Sequence, residues 1–134
     1  MFNFIKNHKI TLIYVSLVIY WLILFTLTSL PSTKLPETHI NDKVEHYAAF
    51  CILSVLLTFT FQLQKKYSSL HRYSYLFSIL FVALYGMLDE LHQLYVPGRY
   101  CDINDWIADV SGGIFGLIIV FIINKLSKRI SFNQ

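Results

Sequence analysis

Four long apolar runs, separated by short polar segments, dominate the chain. The runs cover about residues 10–30, 44–64, 72–91 and 105–124, and the first contains no charged residue. At about 1.5 Å of rise per residue, a helix of roughly 20 residues crosses the hydrocarbon core of a bilayer. The pattern therefore predicts an all-α protein, a four-transmembrane-helix antiparallel bundle, in a single domain that covers residues 1–134.

The composition agrees with lipid as the solvent. Hydrophobic residues make up 55% of the chain and charged residues only 14%, whereas an average soluble domain has about 25% charged residues. The formal net charge of +3 is too small to indicate nucleic-acid binding, and no motif rich in Arg or Lys supports it. Cys51 and Cys101 lack the spacing of a metal site or a disulfide framework. We therefore expect a membrane protein with no nucleic-acid partner.

The charges are distributed unevenly between the two sides that four crossings define. The amino terminus, the loop near residue 70 and the carboxyl tail carry eight bases and no acid, whereas the other side carries three bases and all eight acids. Short loops rich in Lys and Arg stay in the cytoplasm. Both termini are therefore predicted to be cytoplasmic, and the acidic side is predicted to face outward.

Polar residues recur at helical spacing near the outer ends of three spans. In each span two of them are four positions apart, which places both on one helix face. The pairs are Asp42 with His46, Asp89 with Gln93, and Asp105 with Asp109. A carboxylate inside a bilayer is costly unless it faces a partner or water, so the pairs are predicted to converge on a shallow polar cavity. Asp42 and Asp105 also have a structural interpretation as helix caps.

Two further patterns concern the same end of the bundle. Pro97 and Gly98 occupy the central positions of a predicted type II turn, which would direct Arg99 back toward the acids. A structural bridge between Arg99 and a carboxylate is the alternative interpretation. Gly112 and Gly116 are four apart and favour a seam where two helices approach closely.

Three kinds of chemistry suit such a cavity. An Asp/His pair fits general-base catalysis, with Asp42, His46 and Asp89 as candidate catalytic residues. His and carboxylates can also hold a divalent cation, but no H-E-x-x-H motif or similar pattern is present, so no metal or cofactor is assigned. Arg99 with His46 can hold a lipid phosphate. The candidate binding residues are Glu90, Gln93, Arg99, Asp102, Asp105 and Asp109.

Three sequence blocks resemble the VanZ-like family of small bacterial membrane proteins. They are Asp42-Lys43-x-x-His46-x-x-x-Phe50, then Asp89-Glu90-x-x-Gln93-x-x-x-Pro97-Gly98-Arg99, and finally Asp102-x-x-Asp105 with Gly112-x-x-x-Gly116. The resemblance implies a location in the bacterial inner membrane, and the family is named after a member associated with resistance to the glycopeptide teicoplanin. Asp109 stands where the family commonly has Asn, so we expect it to be protonated or paired with Arg99 or His46.

Together these patterns predict a membrane protein that binds or modifies an anionic lipid or a lipid-linked cell-envelope precursor at the outer leaflet. From the resemblance we also expect the protein to affect the susceptibility of the bacterium to glycopeptide antibiotics. The alternative is a small structural or assembly subunit of a membrane complex, without catalytic activity. A proton-coupled transporter fits less well, because four spans form a small pore and a dimer would be required. A homo-oligomer is compatible with the sequence. The sequence also leaves open whether the protein is an enzyme.

Overall fold

The computed structural model describes residues 2–34, 40–64 and 66–132, and within these ranges it contains helices and no strand. Within these ranges, side chains are described from residue 10 to residue 129. Glu37 and Lys65, which entered the charge distribution, lie in the gaps between the described ranges. The long helices are α1 (Phe2–Ser29), α2 (Asp42–Leu63), α4 (Ser74–Gln93) and α5 (Ile103–Phe132). A 3-10 turn at Ser32–Lys34 follows α1, and a short helix α3 (Ser68–Arg72) precedes α4.

All four long helices are long and apolar enough to cross a membrane, which confirms the predicted spans. The membrane-length segments are Ile10–Ser29, Asp42–Leu63, Ser74–Gln93 and Ile103–Arg129. The third begins later than predicted, because Arg72 closes α3 and the chain leaves helical geometry at Tyr73 before α4 begins. The fourth continues past residue 124, since the Lys- and Arg-containing tail is a good helix former and its bases suit a helix carboxyl end.

Contacts at both ends show how the helices alternate in direction. The first turns of α2 and α5 meet where Lys43 Nζ lies 3.1 Å from Asp105 Oδ1, and their later turns meet where Asn124 donates to Gln62 at 3.1 Å. Asn124 also donates to the hydroxyl of Tyr75, in the first turn of α4, at 3.0 Å. Helices α2 and α5 are therefore parallel to each other and antiparallel to α4, as in an up-and-down bundle.

Glycines allow α5 to lie directly against α2. A Cβ atom added at Gly116 would lie 2.6 Å from the carbonyl oxygen of Cys51, and one added at Gly112 would overlap the Tyr47 carbonyl. The hydroxyl of Ser54 uses this proximity to donate to the Gly113 carbonyl at 2.8 Å. Small residues permit this approach in membranes, and the predicted packing seam is confirmed.

The apolar core lies in the middle of the bundle, away from its polar ends. It is formed by Phe50, Leu53 and Leu57 of α2 with Val82 of α4 and Leu24 of α1. Only 6% of the apolar window of α1 is buried, against 39% for α2. Helix α2 is thus the central helix of the bundle, and α1 presents most of its surface to the surroundings.

We expect Gly112→Val to destabilise the bundle by about 1–3 kcal/mol, because an overpacked contact must separate α5 from α2. The measurement is thermal unfolding of the purified protein in detergent, with the exposed neighbour Ser111→Val as the control. Equal melting temperatures for the two variants would contradict the close approach of α2 and α5.

The exposed thiol of Cys101 reports the predicted orientation, because it lies between α4 and α5 at the end of the bundle that carries the acids. A membrane-impermeant maleimide applied to intact bacterial cells is expected to label the wild type and not Cys101→Ser. Labelling that requires permeabilised cells would place this end in the cytoplasm and reverse the orientation.

Candidate functional site

Polar side chains gather where α2 begins, α4 ends and α5 begins, which we call the acidic end of the bundle. Six of them are at most 8% exposed, and together they form what we call the polar cluster. Its members are His46, Asp89, Glu90, Gln93, Asp105 and Asp109. The structure therefore brings together polar residues from three helices that are far apart in the sequence.

A histidine and an aspartate form the most buried contact of the polar cluster. His46 Nδ1 lies 2.9 Å from Asp109 Oδ1, and the Asp109 side chain is fully buried. Of the outcomes expected for Asp109, pairing with His46 is thus observed, and pairing with Arg99 is not. The i, i+4 spacing suggested Asp42 as the partner of His46, but the closest carboxylate comes from α5.

Gly86 of α4 provides the space that Asp109 occupies. A Cβ atom at Gly86 would lie 2.8 Å from Asp109 Oδ2, so any larger residue there would push the carboxylate away. Sequence reasoning missed Gly86, although it lies on α4 one turn before Glu90 and so shares a helix face with it.

An ion-pair network holds the loop before α5. Lys43 Nζ lies 3.1 Å from both Asp102 Oδ2 and Asp105 Oδ1. Glu90 Oε2 accepts a 2.8 Å hydrogen bond from the backbone N–H of Asp102. The backbone N–H of Asn104 and the Lys43 ammonium lower the pKa of the Asp102 carboxyl group, which lies just outside the membrane-spanning segment. Sequence reasoning gave Lys43 no role, although it is part of the first of the three sequence blocks.

The helix caps differ from those predicted. Asn41 caps α2 by accepting the N–H of Lys43 at 2.9 Å, and Asp102 accepts the N–H of Asn104 at 2.8 Å at the start of α5. Asp42 and Asp105 each lie inside the helix that they were expected to cap, so the cap interpretation is wrong for both. Asp42 is exposed and Asp105 is buried.

The polar residues at the end of α4 make two separate sets of contacts. Gln93 donates to Asp89 Oδ2 at 3.4 Å, as the i, i+4 spacing predicted, and both side chains are buried. His92 faces α1 instead, where its Nε2 lies 3.0 Å from Ser29 Oγ and its ring stacks on Phe25. His92 therefore fastens α1 to α4 and stands apart from the polar cluster.

The predicted turn before Arg99 is confirmed, but the predicted ion pair is not formed. Gly98 has φ +77°, and the N–H of Arg99 donates to the Val96 carbonyl at 3.1 Å, as a type II turn requires. Among the described residues, no carboxylate lies within ion-pairing distance of the Arg99 guanidinium. Its Nε is buried and has no hydrogen-bond partner in the described part of the chain.

Several buried polar atoms of the polar cluster and its surroundings lack partners among the described residues. They include Glu90 Oε1, Asp109 Oδ2 and the hydroxyl of Tyr85. Tyr85 is a further residue that the sequence interpretation missed, although it precedes Asp89 by one helical turn. Buried polar atoms are normally satisfied, so these atoms are the places at the acidic end where a proton, a water molecule or a ligand would be accommodated.

Fold and site together define a small multi-pass helical membrane protein with a polar cluster buried at one end of its bundle. A family model described as VanZ/LLP1 matches residues 3–124. The chain therefore belongs to the VanZ/LLP1 family, which confirms the resemblance seen in the three sequence blocks. No curated protein and no solved structure matches the chain.

We expect His46→Gln and Asp109→Asn each to destabilise the protein by about 3 kcal/mol or more, because each leaves a buried partner without its contact. The double variant should lose clearly less than the sum of the two, and this coupling is measured by a double-mutant cycle in thermal or denaturant unfolding. Asp42→Asn, an exposed carboxylate at the same end, is the control and should change stability by less than about 0.5 kcal/mol. Strictly additive single effects would rule out the contact.

Proposed function

We propose that the protein binds the phosphate group of an anionic lipid or of a lipid-linked cell-envelope precursor at the acidic end, and that the polar cluster acts on it. The observation that carries this proposal is the Arg99 guanidinium, which has a buried Nε donor and no carboxylate partner among the described residues. Arg is planar and carries five donors, so it suits bidentate binding of phosphate oxygens. An arginine kept apart from nearby acids is available for an external anion.

The surroundings of Arg99 suit the headgroup region of a bilayer. Tyr95 and Tyr100 flank the turn and are 86% and 76% exposed, and Leu94 is also exposed. Aromatic residues are enriched where helices leave the membrane. A loop at this depth would meet the phosphate of a lipid before it met a solute of the bulk solvent.

The polar cluster supplies the chemistry for modifying such a ligand. Asp109 contacts Nδ1 of His46, which leaves Nε2 as the ring nitrogen that can exchange a proton. In this arrangement His46 is the general base, Asp109 orients its ring, and Asp89 with Gln93 forms a second polar pair. In this scheme the aspartate that supports His46 is Asp109, whereas the sequence suggested Asp42.

A bacterial inner-membrane location and an effect on glycopeptide susceptibility belong to the same proposal. The effect on glycopeptide susceptibility requires that the acidic end face outward, where a lipid-linked precursor of the envelope is presented. The charge distribution supports this orientation, since the opposite side carries eight bases and no acid.

We expect native mass spectrometry of the purified protein to show a bound anionic phospholipid or undecaprenyl-type lipid, and Arg99→Ala to reduce its occupancy about tenfold, the size of one lost charge-assisted hydrogen bond. Arg72→Ala is the matched control, because Arg72 is exposed, ends α3 at the opposite end of the bundle and stacks on Tyr73.

Equal lipid occupancy in the wild type and Arg99→Ala would refute the proposal. If Arg99→Ala kept the lipid and also had a lower melting temperature than the wild type, Arg99 would be a structural residue. That result would favour a structural or assembly subunit.

A further inference from the structure

The polar cluster contains more carboxylates than the cations facing it can balance. Four of its six members are acids, while His46 is its only basic member. Lys43 reaches the edge of the polar cluster, but its ammonium is shared between Asp102 and Asp105. Within the described chain, Glu90 and Asp109 therefore have no cation other than His46.

Glu90 and Asp109 each use one carboxylate oxygen and leave the other without a partner. Glu90 Oε2 accepts the N–H of Asp102, and Asp109 Oδ1 contacts His46. The second oxygens, Glu90 Oε1 and Asp109 Oδ2, are buried and unpartnered among the described residues, in side chains whose residues are 2% and 0% exposed. Ionised carboxylates that are buried in the same cluster repel each other unless a positive charge or a donor lies near them.

The geometry of three residues fits one ion. One ligand atom each from His46, Glu90 and Asp109 lies within 4.8 Å of the others, and His46 Nδ1 lies 2.9 Å from Asp109 Oδ1. With bonds of about 2.1 Å, adjacent ligands of an octahedral ion are about 3.0 Å apart and opposite ligands about 4.2 Å apart. Small side-chain rotations would bring all three atoms onto one ion.

We propose that His46, Glu90 and Asp109 bind a divalent cation of the Mn²⁺ or Zn²⁺ type. One imidazole nitrogen with two carboxylate oxygens is a mixed donor set, whereas Mg²⁺ and Ca²⁺ prefer oxygen donors alone. Gly86 lies on the same face of α4 as Glu90 and carries no side chain, which allows the Asp109 carboxylate to approach that helix. Three protein ligands also leave positions for water or a substrate oxygen.

A second group of possible ligands, Asp42, His46 and Asp105, also lies within 4.8 Å. It is the weaker choice for two physical reasons. Asp42 is exposed, and Asp105 is already neutralised by the Lys43 ammonium at 3.1 Å. The negative charge without compensation is on Glu90 and Asp109.

What such an ion would act on depends on the function proposed above, since a divalent cation can bind and polarise a lipid phosphate held by Arg99. With the ion bound, His46 and Asp109 would be ligands, and a water on the ion would replace His46 as the general base. The binding of the ion needs no lipid. The experiment therefore uses no added lipid, so that its failure and the failure of lipid binding are separate results.

The test is a titration with Mn²⁺ of the full chain in nonionic detergent, purified without a polyhistidine tag and freed of metal with a chelator. Loss of the free-ion EPR signal measures binding. We expect one Mn²⁺ per chain in the wild type, competition by Zn²⁺ and little competition by Mg²⁺. Glu90→Gln should weaken Mn²⁺ binding about tenfold or more. Loss of a residue that only positions a metal ligand already lowers metal affinity by about this factor, and loss of a ligand should lower it at least as much.

Glu45→Gln is the matched control, because it makes the same chemical change in α2 outside both candidate ligand groups, and it should bind like the wild type. Asp42→Asn separates the two groups and should also bind like the wild type. Helical circular dichroism and size-exclusion profiles establish that each variant is folded, and Asp109→Asn is tested beside Glu90→Gln in case one of them does not fold.

Three results would overturn the inference. They are no stoichiometric binding of Mn²⁺ or Zn²⁺ by the wild type, an unchanged affinity in Glu90→Gln, or a loss in Asp42→Asn without a loss in Glu90→Gln. The last result would assign the ion to Asp42, His46 and Asp105. The first would mean that protons or water satisfy the polar cluster.

Discussion

The contact between His46 and Asp109 is the constraint on which the acidic end depends. It joins α2 to α5 at 2.9 Å, where the Asp109 side chain is fully buried. Removing water from a carboxylate costs several kcal/mol, and only well-placed partners offset this cost. The surrounding structure must therefore hold the two helices close together and keep α4 from displacing the carboxylate.

Two glycines meet these conditions. Gly112 places the backbone of α5 against the carbonyl of Tyr47, the residue after His46, and Gly86 leaves room on α4 for Asp109 Oδ2. A side chain at either position would move Asp109 relative to His46 or remove the space that Asp109 fills. The packing seam and the polar contact are thus one arrangement, since the close approach that small residues permit is also what buries the histidine.

The spans, the turn at Pro97 and Gly98, and the i, i+4 pair of Asp89 and Gln93 could be predicted, because hydropathy, backbone preferences and helical spacing are local properties. The partner of His46 could not, because it depends on how α5 is rotated against α2. The caps were misplaced by one residue at α2 and by three at α5, since Asn41 and Asp102 accept the first backbone N–H groups of these helices. Gly86 was missed because its role exists only when α4 and α5 are packed.

The acids of this end divide into two groups with different surroundings. Asp102 and Asp105 face the Lys43 ammonium near the surface, where the ion pairs fix the loop before α5. Glu90 and Asp109 lie deeper, and each has one oxygen without a partner in the described chain. A buried ion pair is often no more stable than a well-packed apolar pair, and ionisable residues inside membranes are mostly functional. Stability alone thus does not explain why Glu90 and Asp109 are acidic, whereas the proposed binding of a cation at their unpartnered oxygens would.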